Sequence, residues 1–210
     1  MNSYFSKVIL IAAALAPAGA SHATPIERLH HDSTMQTFVD RILLMTGLHN
    51  DVIVVIDPAA RGCAYATTVE GQQYIGIDPG CVGRLVNADT YQARAEGILC
   101  HEIAHLLSGH TTSRKMDNPI DEAAADEWSG WAMARIGATL YQAQTYAREL
   151  PDVISRTHPR RPARLEAIKR GWTRSQHEPK TPLEAPGSWW GHLMSKPLPW
   201  AWMPSAAPNK

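Results

Sequence analysis

Apolar residues first recur at helical spacing: Met35, Phe38, Val39, Ile42 and Met45 share one face of a helix that Asp32 or Ser33 can cap and Gly47 can end. The period then switches to that of strands. "DVIVVID", Asp51 to Asp57, is a β-branched run stopped by Pro58, and "QQYIGID", Gln72 to Asp78, is another stopped by Pro79 and Gly80. Between them "CAYATTV", Cys63 to Val69, reads as a third strand that turns at Glu70 and Gly71. From Asp89 the pattern is helical again. A helix capped by Asp89 or Thr90 runs through about Ser108 and is stopped by Gly109; a polar loop spans Thr111 to Pro119. A second helix covers about Ile120 to Ile136, closed by Gly137, and a third about Thr139 to Glu149. His158 and Pro159 open a last helix, "PRRPARLEAIKRGW", whose two prolines fall in the first turn, where missing amide hydrogens cost little. The pattern predicts an α+β fold: a small, mainly antiparallel sheet beside a helical bundle.

The ends of the chain differ from this middle. "MNSYFSKVILIAAALAPAGASHA" has one lysine, an apolar run from Val8 to Ala16 and then small residues, the signature of a secretory signal peptide over residues 1–23, cleaved near Ala23 or Ala20. The mature protein is therefore expected in the periplasm or outside the cell. That apolar run is short for a span, and no other stretch approaches the roughly 20 apolar residues of a transmembrane helix. Residues 24–176 are left as the folded domain. From His177 onward the chain holds seven of its prolines and the indoles of Trp189, Trp190, Trp200 and Trp202, and reads as an extended tail. Exposed indoles cost free energy, so the tail is expected to dock on its own domain, on an envelope protein partner or on a membrane surface, the first being slightly favoured.

Charge narrows the partners. Twenty basic and twenty acidic residues cancel, with no long basic block, so the electrostatic footprint that phosphate binding requires is missing and nucleic acid is not an expected partner. Export to an oxidising compartment makes the three cysteines informative. Cys63 and Cys81 flank the predicted hairpin, and a bridge between them is geometrically feasible, whereas Cys100, next to His101 on a helix, reads as a buried thiol packing like a small apolar residue.

The candidate chemistry lies in "LCHEIAHLLSGH", residues 99–110. His101 and His105 are four apart, so on a helix both rings reach one cation from the same face. Glu102 is rotated about 100° from His101, off the ligand set but near enough to take a proton from metal-bound water. A catalytic zinc site needs a third protein ligand and an open fourth position. "DEAAADEW" in the next helix offers Glu122 and Asp126, four apart, and the small Ala123 to Ala125 would let two helices approach closely. Glu122 is assigned as third ligand and Asp126 as the carboxylate that orients a ligand imidazole through its other nitrogen. Asp121 and Glu127 read as solvated charges, with an exchange of roles between Glu122 and Glu127 left open.

With these residues in place, the chain resembles the gluzincin metallopeptidases of the CAAX prenyl endopeptidase and HtpX-like group. "HEIAHLLSGH" followed by Glu122-x-x-Ala125-Asp126 is similar to the family's ligand segments, and "THPRRPARLEAI" is similar to its later Thr-His-Pro segment, with Arg164 five residues after Pro159. The matches run from about Gly62 to Trp172. The resemblance implies a minimal gluzincin-like zinc endopeptidase with one Zn2+ per chain, in which Glu102 assists attack of zinc-bound water on a peptide carbonyl. It also implies an unfolded protein or peptide substrate added as a strand along a sheet edge near Gln72 to Asp78. His158 and Arg164 would lie near the active site, His158 as transition-state donor or regulatory fourth ligand, against the plainer reading of a helix-start residue. Where family members often carry Asn-Ala-Phe before the edge strand, this chain has Cys63-Ala64-Tyr65. Flanking transmembrane helices of the membrane members are lacking, so prenylated-protein processing is not implied.

Two other classes stand beside this one. A latent or non-catalytic zinc protein, with His158 in the fourth position and the tail binding an envelope partner as a binding or chaperone module, leaves Glu102 without a use. A deformylase-like hydrolase would need Cys63 or Cys81 as a ligand, and neither sits in the expected local pattern.

Overall fold

The computed structural model describes residues 26, 29–46, 51–83, 88–111, 118–150, 152 and 158–179. The predicted signal peptide, the loop at 112–117 and the tail from residue 180 lie outside the described residues. The elements in order are β1 (His30–His31), α1 (Ser33–Met45), β2 (Val52–Ile56), β3 (Ala64–Val69), β4 (Gln72–Ile77), α2 (Pro79–Val82), α3 (Ala88–Leu107), α4 (Pro119–Arg135), α5 (Leu140–Ala143), α6 (Thr145–Arg148) and α7 (Arg161–His177). The fold is α+β, as the patterning predicts.

α1 begins where Asp32 accepts the Met35 amide at 2.7 Å, an N-cap that satisfies one of the orphan donors of the first turn. Its apolar stripe is buried as expected, with Leu43 added. Gln36 fastens the helix to β2, donating to Val52 O at 2.7 Å and accepting from Val54 N at 2.8 Å.

The sheet is mixed where a mainly antiparallel one was expected. Its order is β1-β2-β4-β3. Glu70 and Gly71 both have positive φ, 50° and 88°, so β3 and β4 are joined by a two-residue turn of the type that matches strand twist. The hairpin reverses the chain, β4 runs in the same direction as β2, and the two pair in parallel from Val52↔Gln73 to Ile56↔Ile77. β4 is therefore an interior strand. The edge expected near Gln72 to Asp78 is instead β3, and Tyr74 to Ile77, buried throughout, shows the continuous burial of a strand covered on both sides.

The Cys63–Cys81 disulfide is formed, with a Cα–Cα distance of 5.1 Å, and ties the start of β3 to α2. Cys100 is free and fully buried. Side chains of α1, the sheet, α3, α4 and α7 meet in one core that includes Ile42, Ile75, Leu99, Ile103, Met133 and Ile168.

Three helix boundaries differ from expectation. α3 starts at Ala88, so that Asp89 and Thr90, the expected caps, lie inside it. The predicted helix 139–149 is two short ones, α5 and α6, broken at Gln144, whose side chain donates to Leu165 O at 2.9 Å on α7. α7 starts after Arg160, so Pro162 lies in the first turn and Pro159 stands ahead of the cap. The first residues of the predicted tail run back along α4: Glu178 accepts from Trp131 Nε1 at 2.6 Å, and Pro179 O accepts from Arg135 at 3.2 Å.

Among the described residues, α4 and α7 make the most extensive helix contact. A Cβ on Gly130 would stand 2.7 Å from the Ile168 carbonyl carbon, and one on Gly171 would stand 2.9 Å from Trp131 N. The tight approach thus rests on these two glycines. Of the three alanines expected to let α3 and α4 approach around a metal, only Ala125 is buried and Ala124 is exposed.

Candidate metal centre

His101 and His105 sit one turn apart on α3, and Glu122 sits in the first turn of α4. Asn118 caps that turn, accepting from the Ile120 and Asp121 amides at 2.8 and 3.0 Å. A carboxylate beside a helix N-terminus is favoured by the exposed amide dipoles there. The two Nε2 atoms are 3.1 Å apart, and Glu122 brings Oε2 to 3.3 Å from His101 Nε2 and Oε1 to 3.5 Å from His105 Nε2. Ligand atoms held ~2.0–2.1 Å from a tetrahedral ion stand about 3.4 Å from one another, close to the separation of the two nitrogens; Glu122 turns one oxygen to each histidine, and one ligand atom from each of the three residues lies within 4.8 Å of the others.

Glu122 Oε2 is buried and accepts no well-aligned hydrogen bond, although nitrogens of His101 and His158 lie 3.3 and 3.2 Å away. Nitrogens that close without aligned donation suit lone pairs converging on a cation. Two imidazoles and a carboxylate are also the donor types that zinc takes. His101, His105 and Glu122 could hold a metal ion.

Asp126 lies one turn along α4 on the other side of the His101 ring, with Oδ1 3.0 Å from Nδ1. That contact is short but not aligned as a hydrogen bond. Asp126 is fully buried and is held from two further sides. Arg164 donates both Nε and an Nη to it at 2.7 Å, and Tyr146 donates its hydroxyl to Oδ1 at 2.7 Å.

The electrostatics follow. Burial opposes charge on His101, but Asp126 and Glu122 outweigh it and push the imidazole up to about 10. For Glu122, burial is overcome by the imidazoles of His101 and His105, and the carboxyl falls well below the usual range. Arg164 and His101 likewise hold Asp126 down against its burial. The pocket draws in positive charge, which is what a cation site requires.

Glu102 faces a cavity of about 340 Å³ that it shares with both histidines, Glu122, His158 and the segment from Gly62 to Ala66 that leads into β3. Burial raises its carboxyl, opposed by His101 and His105. His158 is half-exposed, with Nε2 3.2 Å from Glu122 Oε2. Arg164, expected near the site, lines the same cavity; its fork is on Asp126, and it lies 4.0 Å from Glu122. Glu127, the alternative third ligand, is turned to α7, where Arg170 and Arg174 donate to it at 3.2 and 2.6 Å. Asp121 is half-buried rather than simply solvated, and lies 3.5 Å from His110 Nε2.

Sequence reasoning missed Tyr146 and His110. Nothing local distinguishes Tyr146 from a packing residue. His110 carried a signal in its place directly after the helix-stopping Gly109.

No protein-family model matches the chain, and no curated protein matches it.

Proposed function

We propose that this chain is a zinc endopeptidase of the gluzincin type acting in the cell envelope. The observation that carries the reading is the coincidence, in one cavity, of the His101, His105 and Glu122 cluster with the carboxylate of Glu102, beside the edge strand β3. A purely structural metal site has no need of Glu102 or of an open cavity.

A divalent ion held by His101, His105 and Glu122 would polarise a peptide carbonyl and acidify water. The residues of the chain do the rest. β3 offers its outer edge to an extended peptide, so the substrate adds as a further strand and its scissile bond is carried over the cavity. Glu102 takes the proton from the attacking water and returns it to the departing amine. Asp126 fixes the ring of His101, and Arg164 and Tyr146 fix Asp126.

The test is zinc content and cleavage of an unfolded protein in wild type, Glu122→Gln and Glu102→Gln. About one zinc per wild-type chain, a large loss in Glu122→Gln, and retained zinc with a ~10²–10⁴-fold loss of cleavage in Glu102→Gln are expected. Full zinc in Glu122→Gln would remove the ligand assignment.

One observation favours a latent form: His158 reaches Glu122 Oε2 across the mouth of the cavity. On that second reading the chain is a zinc protein of the envelope that binds partners without cutting them. His158→Ala would then expose activity that the wild type lacks, whereas on the first reading it leaves activity unchanged or lower.

A further inference from the structure

Each ligand histidine needs its second ring nitrogen fixed if the first is to point at a metal. Asp126 serves His101 in this way. The equivalent nitrogen of His105 meets an imidazole instead: its Nδ1 is 3.0 Å from Nδ1 of His110.

The meeting of these two rings follows from how α3 ends. Gly109, at φ 69°, takes the left-handed conformation; its amide donates to Leu106 O at 3.1 Å, and the His110 amide donates to His105 O at 3.0 Å. This is the paired-bond helix stop in which the residue after the glycine is folded back over the residue five before it. That contact is usually apolar. Here it is His110 on His105, ring centroids 5.3 Å apart.

The chain of contacts continues. His110 Nε2 lies 3.5 Å from Asp121 Oδ1, and Asp121 Oδ2 accepts from Asn118 Nδ2 at 2.6 Å. One assignment of protons is consistent with these contacts. If Nε2 of His105 presents its lone pair to a metal, Nδ1 carries the hydrogen and donates to His110 Nδ1; His110 then carries its own hydrogen on Nε2, facing the Asp121 carboxylate.

We infer that His110 and Asp121 are positioning residues for His105: a histidine–aspartate relay, anchored at the cap of α4, that fixes the ring orientation and tautomer of the second metal ligand. The inference rests on the His101, His105 and Glu122 site proposed above. It gives the two ligand histidines different supports, a carboxylate directly for His101 and an imidazole backed by a carboxylate for His105. It also bridges the segment between α3 and α4, since His110 and Asp121 flank it.

The test uses the full chain with zinc as the probe. Affinity is read by competition with a chromophoric chelator in wild type, His110→Ala, His110→Asn and Asp121→Asn, and the metal-free thermal midpoint is read for each. Cobalt is substituted to read the visible ligand-field bands. Loss of such a support typically weakens metal binding ~10–100-fold, which is the loss expected for His110→Ala with an unchanged metal-free midpoint and shifted cobalt bands. His110→Asn, whose side-chain oxygen can accept in place of Nδ1, is expected to recover most of the affinity, and Asp121→Asn to show a smaller loss. Wild-type affinity and cobalt bands in His110→Ala would overturn the relay while leaving the site intact. Failure of wild type to bind zinc, or full binding by Glu122→Gln, would instead sink the site itself. Should His110→Ala fail to fold, Asp121→Asn decides: wild-type affinity there, with no recovery in His110→Asn, would overturn the inference.

Discussion

Gly171→Ala tests the crossing on which the site's outer support depends. At an exposed helical site the change would stabilise by about 1 kcal/mol, because alanine is the better helix former. Here the added Cβ would stand 2.7 Å from the Glu127 carbonyl carbon and 2.9 Å from Trp131 N, and nearer still to the Glu127 oxygen. Non-bonded carbons settle about 3.5–4.0 Å apart, so α7 must retreat from α4 by roughly 1 Å. Both obstacles are backbone, so no rotamer change relieves them. Overpacking of a core costs typically ~1–3 kcal/mol, and this rigid case belongs at the top of that range. After the propensity gain, a net loss of about 2 kcal/mol is expected, or a fall in melting temperature of roughly 4–8 °C for a chain of this size.

The same retreat carries a functional consequence. Arg164 is on α7 and makes two 2.7 Å bonds to Asp126, which a shift of about 1 Å cannot preserve. Gly171→Ala should therefore weaken zinc binding as well as stability, though it lies remote from the ligands. Thermal unfolding with and without zinc reads both effects, with Thr173→Ala on the exposed face of α7 as control. If Gly171→Ala were as stable as wild type, or more so, the close crossing of α4 and α7 would be refuted.

Other outcomes follow from the same geometry. Arg164→Leu leaves the buried Asp126 carboxylate without its main partner and should cost ~3–5 kcal/mol in denaturant unfolding, whereas Tyr146→Phe removes one of its hydrogen bonds and should cost about 1–2 kcal/mol. Equal losses in the two would contradict the assignment of Arg164 as main partner. Reduction of Cys63–Cys81, which closes a loop of sequence separation 18, should lower stability by about 3 kcal/mol, and Cys63→Ser with Cys81→Ser should match it; unchanged melting under a dithiol would show that the bridge adds nothing. Glu96, on α3 with Gln92 and the Arg41 guanidinium as neighbours, is pushed up to about 7 from 4.5, chiefly by burial. Its charged form is thus disfavoured in the fold, so stability is greatest below pH 4.5 on this account and falls as pH rises through 7. The loss is at most about 3 kcal/mol. Glu96→Gln should flatten that slope in unfolding measured from pH 5 to 8, and an unaltered slope would reject it.

Features set by neighbours in the chain were legible in the sequence. The stripe from Met35 to Met45, the turn at Glu70 and Gly71, and the helix stops at Gly109 and Gly137 each announce themselves within a few residues. So did His101, His105 and Glu122, because they lie one turn apart on one helix and in the first turn of the next. Strand placement did not, since the insertion of β4 between β2 and β3 depends on contacts across the sheet. Its buried run Tyr74 to Ile77 was nevertheless a sign of an interior strand. Arg164 was found, and it lines the cavity, but its main partner Asp126 was not, because sequence cannot say which carboxylate a guanidinium meets across two helices. Tyr146 was invisible for the same reason.

The spacing of Glu122 and Asp126 explains why a single helix can both complete and support the cluster. Side chains four apart on a helix stand about 5–6 Å apart at Cβ, enough to admit an imidazole ring between their carboxylates. His101 occupies that gap, Nε2 toward Glu122 and Nδ1 toward Asp126, so α4 grips both nitrogens of one ring. A carboxylate pair this close would repel and be costly to bury alone. Arg164 from α7 offsets Asp126, and the imidazoles, together with any cation they hold, offset Glu122. The glycine crossing of α4 and α7 is what brings Arg164 within reach. It therefore belongs to the chemistry of the site as much as to the packing of the core.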